Sequence, residues 1–206
     1  MAVSKTFPAE RVREAYAAGQ RDFGENKVQE GLLKQAETAD MPMRWHLIGH
    51  LQSNKAKKAV SGFAAVHSVD SVELLHRLDE AAVVRTTSDR LEILVQVDFA
   101  GEATKFGAPP DEAARIVEEA LAARAVTLKG LMLMPPWSDD PEVTRPWFER
   151  LRGFRDRLVQ NGAPAAALTQ LSMGMSHDYE VAIEEGATIV RVGTAIFGKR
   201  PAPQQS

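Results

Sequence analysis

Three short stretches of this chain carry residues with chemistry in them. SMGMS at 172–176 and RVGT at 191–194 each set a small hydroxyl residue beside glycine. Glycine lets backbone N–H groups come close to an anion, and the start of a following helix adds a favourable dipole. Ser176 stands before one helical segment, and Gly193 and Thr194 stand before a short AIFG turn. Either stretch alone reads equally well as a helix cap or a tight turn; as a pair they suit a phosphate group. The third stretch is AVSKT at 2–6, where Lys5 follows a short apolar run. A lysine held against apolar surface loses part of its preference for the charged form and becomes a nucleophile, as a Schiff base requires. A carbonyl compound bearing a phosphate would engage Lys5 at one end and the glycine–hydroxyl pair at the other. A Schiff-base aldolase or a phosphosugar isomerase would use the same residue types.

Other candidates are weaker. His46 and His50 in HLIGH suggest a metal pair, but the glutamate of an HExxH pattern is absent and no third ligand stands out. Both histidines are candidates for a pocket wall, as is His67 with Ser68 in AAVHSVD. NKAKK at 54–58 is a short lysine cluster of the kind that forms a solvated helix face. Met132, Met134, Met173 and Met175 suit irregular core space.

Positioning these residues requires a framework, and the framework alternates. Short β-type runs occur at the chain start and at 21–26, 43–50, 64–70, 91–99, 126–136, 166–176 and 187–198. Helical patterns lie between them, at 8–19, 27–39, 51–60, 71–84, 110–123, 141–162 and 177–186. Ser71 reads as a helix cap with Leu74, Leu75 and Leu78 on the buried face. Alternating β and α implies a parallel sheet. Eight units close most simply into an α/β (β/α)8 TIM barrel, whose lower size limit is roughly 200 residues. This chain has 206. In that fold the strand ends gather the functional residues, and the loops after strands seven and eight commonly hold phosphate. No GxGxxG or GxxxxGK[ST] follows any strand, which counts against an open nucleotide-binding sheet. Residues 1–200 read as a single barrel domain and 201–206 as a C-terminal tail.

Composition narrows the class. The net charge is −3, against a dedicated nucleic-acid binder. With no cysteine there is no disulfide, thiolate metal site or cysteine nucleophile. No apolar run approaches a membrane span and no signal segment leads the chain. The expectation is a soluble cytoplasmic protein that engages neither nucleic acid nor membrane.

AVSKT, FGENKVQE, WHLIGHLQSNK, LMLM, LSMGMSHDYEVAI and RVGTAIFG, in this order, resemble the YggS/PROSC group of pyridoxal 5′-phosphate (PLP) binding proteins. These are relatives of the N-terminal barrel of alanine racemase, and the resemblance runs from residue 2 to about residue 199. It implies PLP as cofactor, held as an internal aldimine on Lys5. It implies Asn26 in the cofactor pocket, Ser176 with Gly193 and Thr194 around the phosphate, and Arg191 facing the pyridine nitrogen. Met173 is a further candidate for cofactor contact. A guanidinium stays charged and cannot accept the ring-nitrogen proton, so it disfavours protonating that nitrogen. The ring is then a weaker electron sink, which suits storage and delivery over turnover.

The resemblance therefore implies a PLP-homeostasis protein, a carrier or regulator whose partners are PLP and apo PLP-dependent enzymes. The alternative is a PLP-dependent enzyme with weak racemase-type activity. Relatives carry about one more helix and the start of strand one, so an N-terminal helix is expected to be missing here. The racemases have a C-terminal β domain that supplies a tyrosine base from the partner subunit. This chain offers only Tyr16 and Tyr179, and a monomer is expected.

Overall fold

Each apolar run becomes a parallel strand in the computed structural model, which describes residues 1–85, 89–101 and 106–199. The strands are β1 (Ala2–Val3), β2 (Asp22–Glu25), β3 (Arg44–Leu47), β4 (Ala65–Val69), β5 (Leu91–Val97), β6 (Val126–Leu133), β7 (Gln170–Met175) and β8 (Ile189–Arg191). The helices are α1 (Ala9–Ala17), α2 (Val28–Glu37), α3 (Ala56–Gly62), α4 (Val72–Ala82), α5 (Pro110–Leu121), α6 (Arg145–Gln160), α7 (Tyr179–Glu184) and α8 (Thr194–Phe197). Short 3-10 turns precede α3 and α6, at Ser53–Lys55 and Pro141–Thr144. The expected tail at 201–206 lies outside the described residues.

The strands neighbour one another in chain order from β1 to β8. A parallel bridge from Ala2 to Val192 then joins the first strand to the residue after the last. At this seam Val3 N–H donates to the Val192 carbonyl at 2.8 Å, and Val192 N–H donates to the Met1 carbonyl at 3.0 Å. The (β/α)8 barrel follows from the sequence. Near-continuous apolar runs form strands covered on both faces, and amphipathic helices lay one stripe over them. On α4 the Ser71 side chain accepts from the Leu74 N–H, and Leu74, Leu75 and Leu78 are buried. α5 begins with Pro110, Asp111 and Glu112, which suit a first turn.

The layer between strands and helices is apolar, built on side chains such as Phe23, Phe63, Phe148 and Leu78. The barrel interior differs. A hydrogen bond between His67 on β4 and Ser172 on β7 joins strands that are not neighbours, so it crosses the interior. His46, His67, Ser172 and Arg191 are all buried. Among the described residues, no helix is long and apolar enough to cross a membrane.

Candidate functional site

At the C-terminal ends of the strands lies a cavity of about 740 Å³, inside the size range of small-molecule sites. Six of the residues singled out from sequence line it together: Lys5, Asn26, Ser176, Arg191, Gly193 and Thr194. They come from β1, β2, β7 and β8, so the site spans the seam.

Lys5 follows β1 directly, and the turn carrying it is fastened from below. Ser4 is fully buried, and its hydroxyl donates to Glu25 Oε1 at 2.6 Å. The Lys34 ammonium donates to the Ser4 carbonyl at 2.7 Å, to Glu25 Oε1 at 2.7 Å and to Glu30 Oε1 at 2.8 Å. Glu30 Oε1 also accepts from the Thr6 N–H at 2.5 Å. Thr6 itself has φ +70, a left-handed conformation that costs a non-glycine residue energy. Burial pushes the Glu25 carboxyl up, against the pull of Lys34 and Ser4. One buried cation thus gathers two carboxylates and the backbone on either side of Lys5.

Asn26 is placed by a close backbone approach. A Cβ on Gly49 would stand 2.3 Å from the Asn26 carbonyl oxygen, so glycine is required there. The Gly49 carbonyl in turn accepts from the Ser68 hydroxyl at 2.7 Å. This gives the glycine of HLIGH a structural reason.

The anion cradle is built around Ser176. Its Oγ accepts from the Gly193 N–H at 3.1 Å and the Ala195 N–H at 3.3 Å. Both acceptor positions of the hydroxyl are then used, and its own proton is directed elsewhere. The Asp178 carboxylate accepts from the Met175 N–H at 2.6 Å and fixes the loop before α7.

Arg191 is 4% exposed and lines the cavity. It donates from Nη1 to Ser172 Oγ at 3.0 Å and from Nη2 to the Leu133 carbonyl at 2.8 Å. Both acceptors are neutral. Burial pushes its pKa down to about 10, with the more distant Asp178 pulling it back up. It stays charged at neutral pH.

Met173 is placed differently from the expectation of cofactor contact. It is fully buried in the hydrophobic core, and Met175 lines the cavity. Register shifts between Ser172 and Met175, and Gly174 between them has φ +89. The even alternation of a strand is lost there. His50 lines the cavity, stacked on Phe106 with ring centroids 3.7 Å apart and 3.4 Å from the Asp70 carboxylate. His46 and His67 instead lie within the barrel, bonded to each other at 3.1 Å. Among the described residues, no three His, Cys, Asp or Glu side chains gather where they could hold a metal ion. The Tyr179 hydroxyl donates to Glu180 at 3.1 Å, and Tyr16 packs against the core with Arg21 over its ring. Gln96, Phe106, Trp137 and His177 also line the cavity. Gln96 sits inside an apolar strand run and the other three come from loops, so none carried a periodic signal.

The donor set fits a phosphorylated pyridine aldehyde. It offers a primary amine at Lys5, a hydroxyl proton at Ser176 beside the Gly193–Thr194 backbone, and a cation at Arg191 that lacks an anionic partner within ion-pair distance among the described residues.

The alanine racemase N-terminal domain model matches residues 1–201. The pyridoxal phosphate homeostasis protein of Pseudomonas aeruginosa is 45% identical over 200 residues, covering 97% of this chain and 84% of that protein. The protein of the same name from Aquifex aeolicus is 42% identical over 200 residues, covering 97% and 86%. Among solved structures, PipY of Synechococcus elongatus PCC7942 with PLP bound matches with a TM-score of 0.88 at 45% identity, covering 96% of this chain and 91% of that one. The alanine racemase of Clostridium difficile 630 matches with a TM-score of 0.78 at 15% identity, covering 100% of this chain and 53% of the racemase, a likeness of fold. With the family model spanning nearly the whole sequence and relatives this similar over nearly their own length, the chain belongs to the alanine racemase N-terminal domain family, among its pyridoxal phosphate homeostasis proteins.

Proposed function

We propose that this chain binds pyridoxal 5′-phosphate at the mouth of the barrel and serves PLP homeostasis, holding the cofactor and releasing it to apo PLP-dependent enzymes in the cytoplasm. The reading includes a monomer and a Schiff-base link to Lys5. One observation carries it: Lys5, the Ser176 cradle and a buried Arg191 without an anionic partner among the described residues face one cavity. Its relatives add weight, since PipY is described with PLP bound and the curated relatives carry the homeostasis name.

When bound, PLP supplies an aldehyde that condenses with a primary amine. The chain supplies Lys5 Nζ as that amine, on a turn fixed by Lys34 and Glu30. Ser176, whose oxygen already accepts from Gly193 and Ala195, would donate its proton to the phosphate. Arg191, charged and lining the cavity, would face the ring nitrogen and hold it without a proton. This restrains carbanion chemistry and favours storage.

The test is a visible absorption spectrum of the protein with PLP, followed by borohydride reduction and peptide mapping. The expected result is one modified peptide bearing Lys5, lost in Lys5→Ala. No imine band, or label spread over surface lysines such as Lys27 and Lys57, overturns the reading.

A second reading, weak amino-acid racemase-type turnover, is favoured by His50, held beside Asp70 in the cavity wall as a candidate base. It requires deuterium from solvent to enter the α-carbon of an amino acid, and His50→Gln to stop that exchange. No exchange with any amino acid tested removes it.

A further inference from the structure

Below the cavity, five side chains form one hydrogen-bonded chain through the barrel. Arg191 Nη1 lies 3.0 Å from Ser172 Oγ. Ser172 Oγ lies 3.0 Å from His67 Nδ1. His67 Nε2 lies 3.1 Å from His46 Nδ1. His46 Nε2 lies 2.9 Å from Asp22 Oδ1. Ser172 and His67 are fully buried and His46 is 5% exposed. Asp22 begins β2, so it stands at the opposite end of the barrel from the cavity, and its side chain is 43% exposed.

The chemistry of the two ends fixes the protons between them. A guanidinium only donates and a carboxylate only accepts. The bond to His46 holds the Asp22 carboxyl below its ordinary range, so it is ionised at neutral pH and His46 must carry a proton on Nε2. With His46 in its neutral form, Nδ1 accepts, which requires the proton of His67 on Nε2. His67 Nδ1 in turn accepts from the Ser172 hydroxyl, and Ser172 accepts from Arg191. Every donor points the same way, from the cavity towards Asp22, and every member is satisfied. Burial above all, with the Arg191 charge acting the same way, drives the His67 pKa well below its ordinary value, so His67 is neutral. The reverse order would need a cationic His46.

We propose that Ser172 and His67 are positioning residues for Arg191, holding its guanidinium in the cavity floor through neutral, one-way hydrogen bonds anchored at Asp22. A carboxylate in direct contact would orient the arginine equally well but would cancel its charge. A neutral hydroxyl orients it and leaves the charge directed at the cavity. The anion that completes the chain is placed at the far face. What Arg191 meets in the cavity rests on the PLP reading; the proton order does not.

The test has two arms. Ring nitrogen-15 NMR of the full chain without PLP reads the protonated nitrogen of each histidine directly. His67 and His46 are both expected as single tautomers protonated on Nε2. In Asp22→Asn the new amide can donate to His46 Nε2, and His67 is expected to lose its single tautomer. A proton on His67 Nδ1 in the wild type, or an unchanged His67 in Asp22→Asn, overturns the proposal. In the second arm PLP is titrated into Ser172→Ala and Ser172→Thr. Ser172→Ala is expected to bind about tenfold more weakly, as loss of one hydrogen bond to a charged group implies. Its bound absorption band should also move, and Ser172→Thr, which keeps the hydroxyl, should restore both. Wild-type affinity and spectrum in Ser172→Ala overturn the positioning role. If the wild type binds no PLP, the functional reading fails and the histidine spectra alone decide the proton order.

Discussion

Ser176 gives the sharpest residue-scale expectation. Its hydroxyl accepts from the N–H of Gly193, between β8 and α8, and of Ala195, in α8, which leaves its proton for an anion in the cavity. Ser176→Ala should weaken PLP binding by about tenfold or more, while binding of pyridoxal, which has no phosphate, changes far less. Titration of both ligands gives the ratio, and a ratio unmoved by the substitution removes Ser176 from the phosphate site. That Ser176, Gly193 and Thr194 meet at one cavity was legible in the sequence because two glycine–hydroxyl stretches stand at the ends of neighbouring strands, although each alone reads as a cap or a turn. Met175 was not legible in place of Met173. Strand alternation would set the two alike, and only the turn at Gly174 decides which lines the cavity. Phe106 and Trp137 reach the cavity from loops, where side-chain direction follows no period. Lys34 was equally hidden, since a lysine in an amphipathic helix reads as solvated until the fold brings Glu25, Glu30 and Ser4 around it.

At the scale of elements, two polar fastenings hold helices to strands. Lys34 on α2 neutralises Glu25 on β2, and both are buried. Removing one partner of a buried pair typically costs about 3–5 kcal/mol, because the other charge is left without compensation. Lys34→Met should therefore lower stability by about that much in urea unfolding, and Glu25→Gln in the same chain should return part of it. Lys5 labelling by borohydride should also lose selectivity in Lys34→Met, since the Ser4–Thr6 turn loses its support. The second fastening is Asp79 on α4, which accepts from the N–H groups of Arg124, Ala125 and Val126 at 3.2, 2.7 and 3.1 Å. Burial raises its carboxyl pKa, and these three bonds outweigh burial to hold it below the ordinary value. A carboxyl with a lowered native pKa contributes its full stability above the unfolded value of about 3.9. That contribution fades as pH falls through the native value. Asp79→Asn should be less stable than wild type at neutral pH, and the gap should close on acidification below about pH 4. A gap constant with pH would mean the carboxylate charge plays no part. The eight strands were legible because their apolar runs are separated by helical periods and turn residues. These fastenings were not, because each joins residues that only the fold makes neighbours.

For the whole molecule the seam matters most. Two backbone hydrogen bonds around Val192 link the end of the last strand to the first. Val192→Pro removes one of them and should lower Tm by roughly 2–4 °C for each kcal/mol lost at this chain length. Calorimetry reads it directly, and an unchanged Tm would show that the seam contributes little. The seam also lies between the two halves of the candidate site, with Lys5 leaving β1 on one side and Gly193 and Thr194 leaving β8 on the other. A ligand bonded to Lys5 and gripped at the opposite bank by its phosphate would bridge the two sides of the seam. The phosphate grip exists only in the folded barrel, so such a ligand favours the folded state by mass action. The cofactor would then act as a removable clasp across the seam, and its release would loosen the join between the first and last strands.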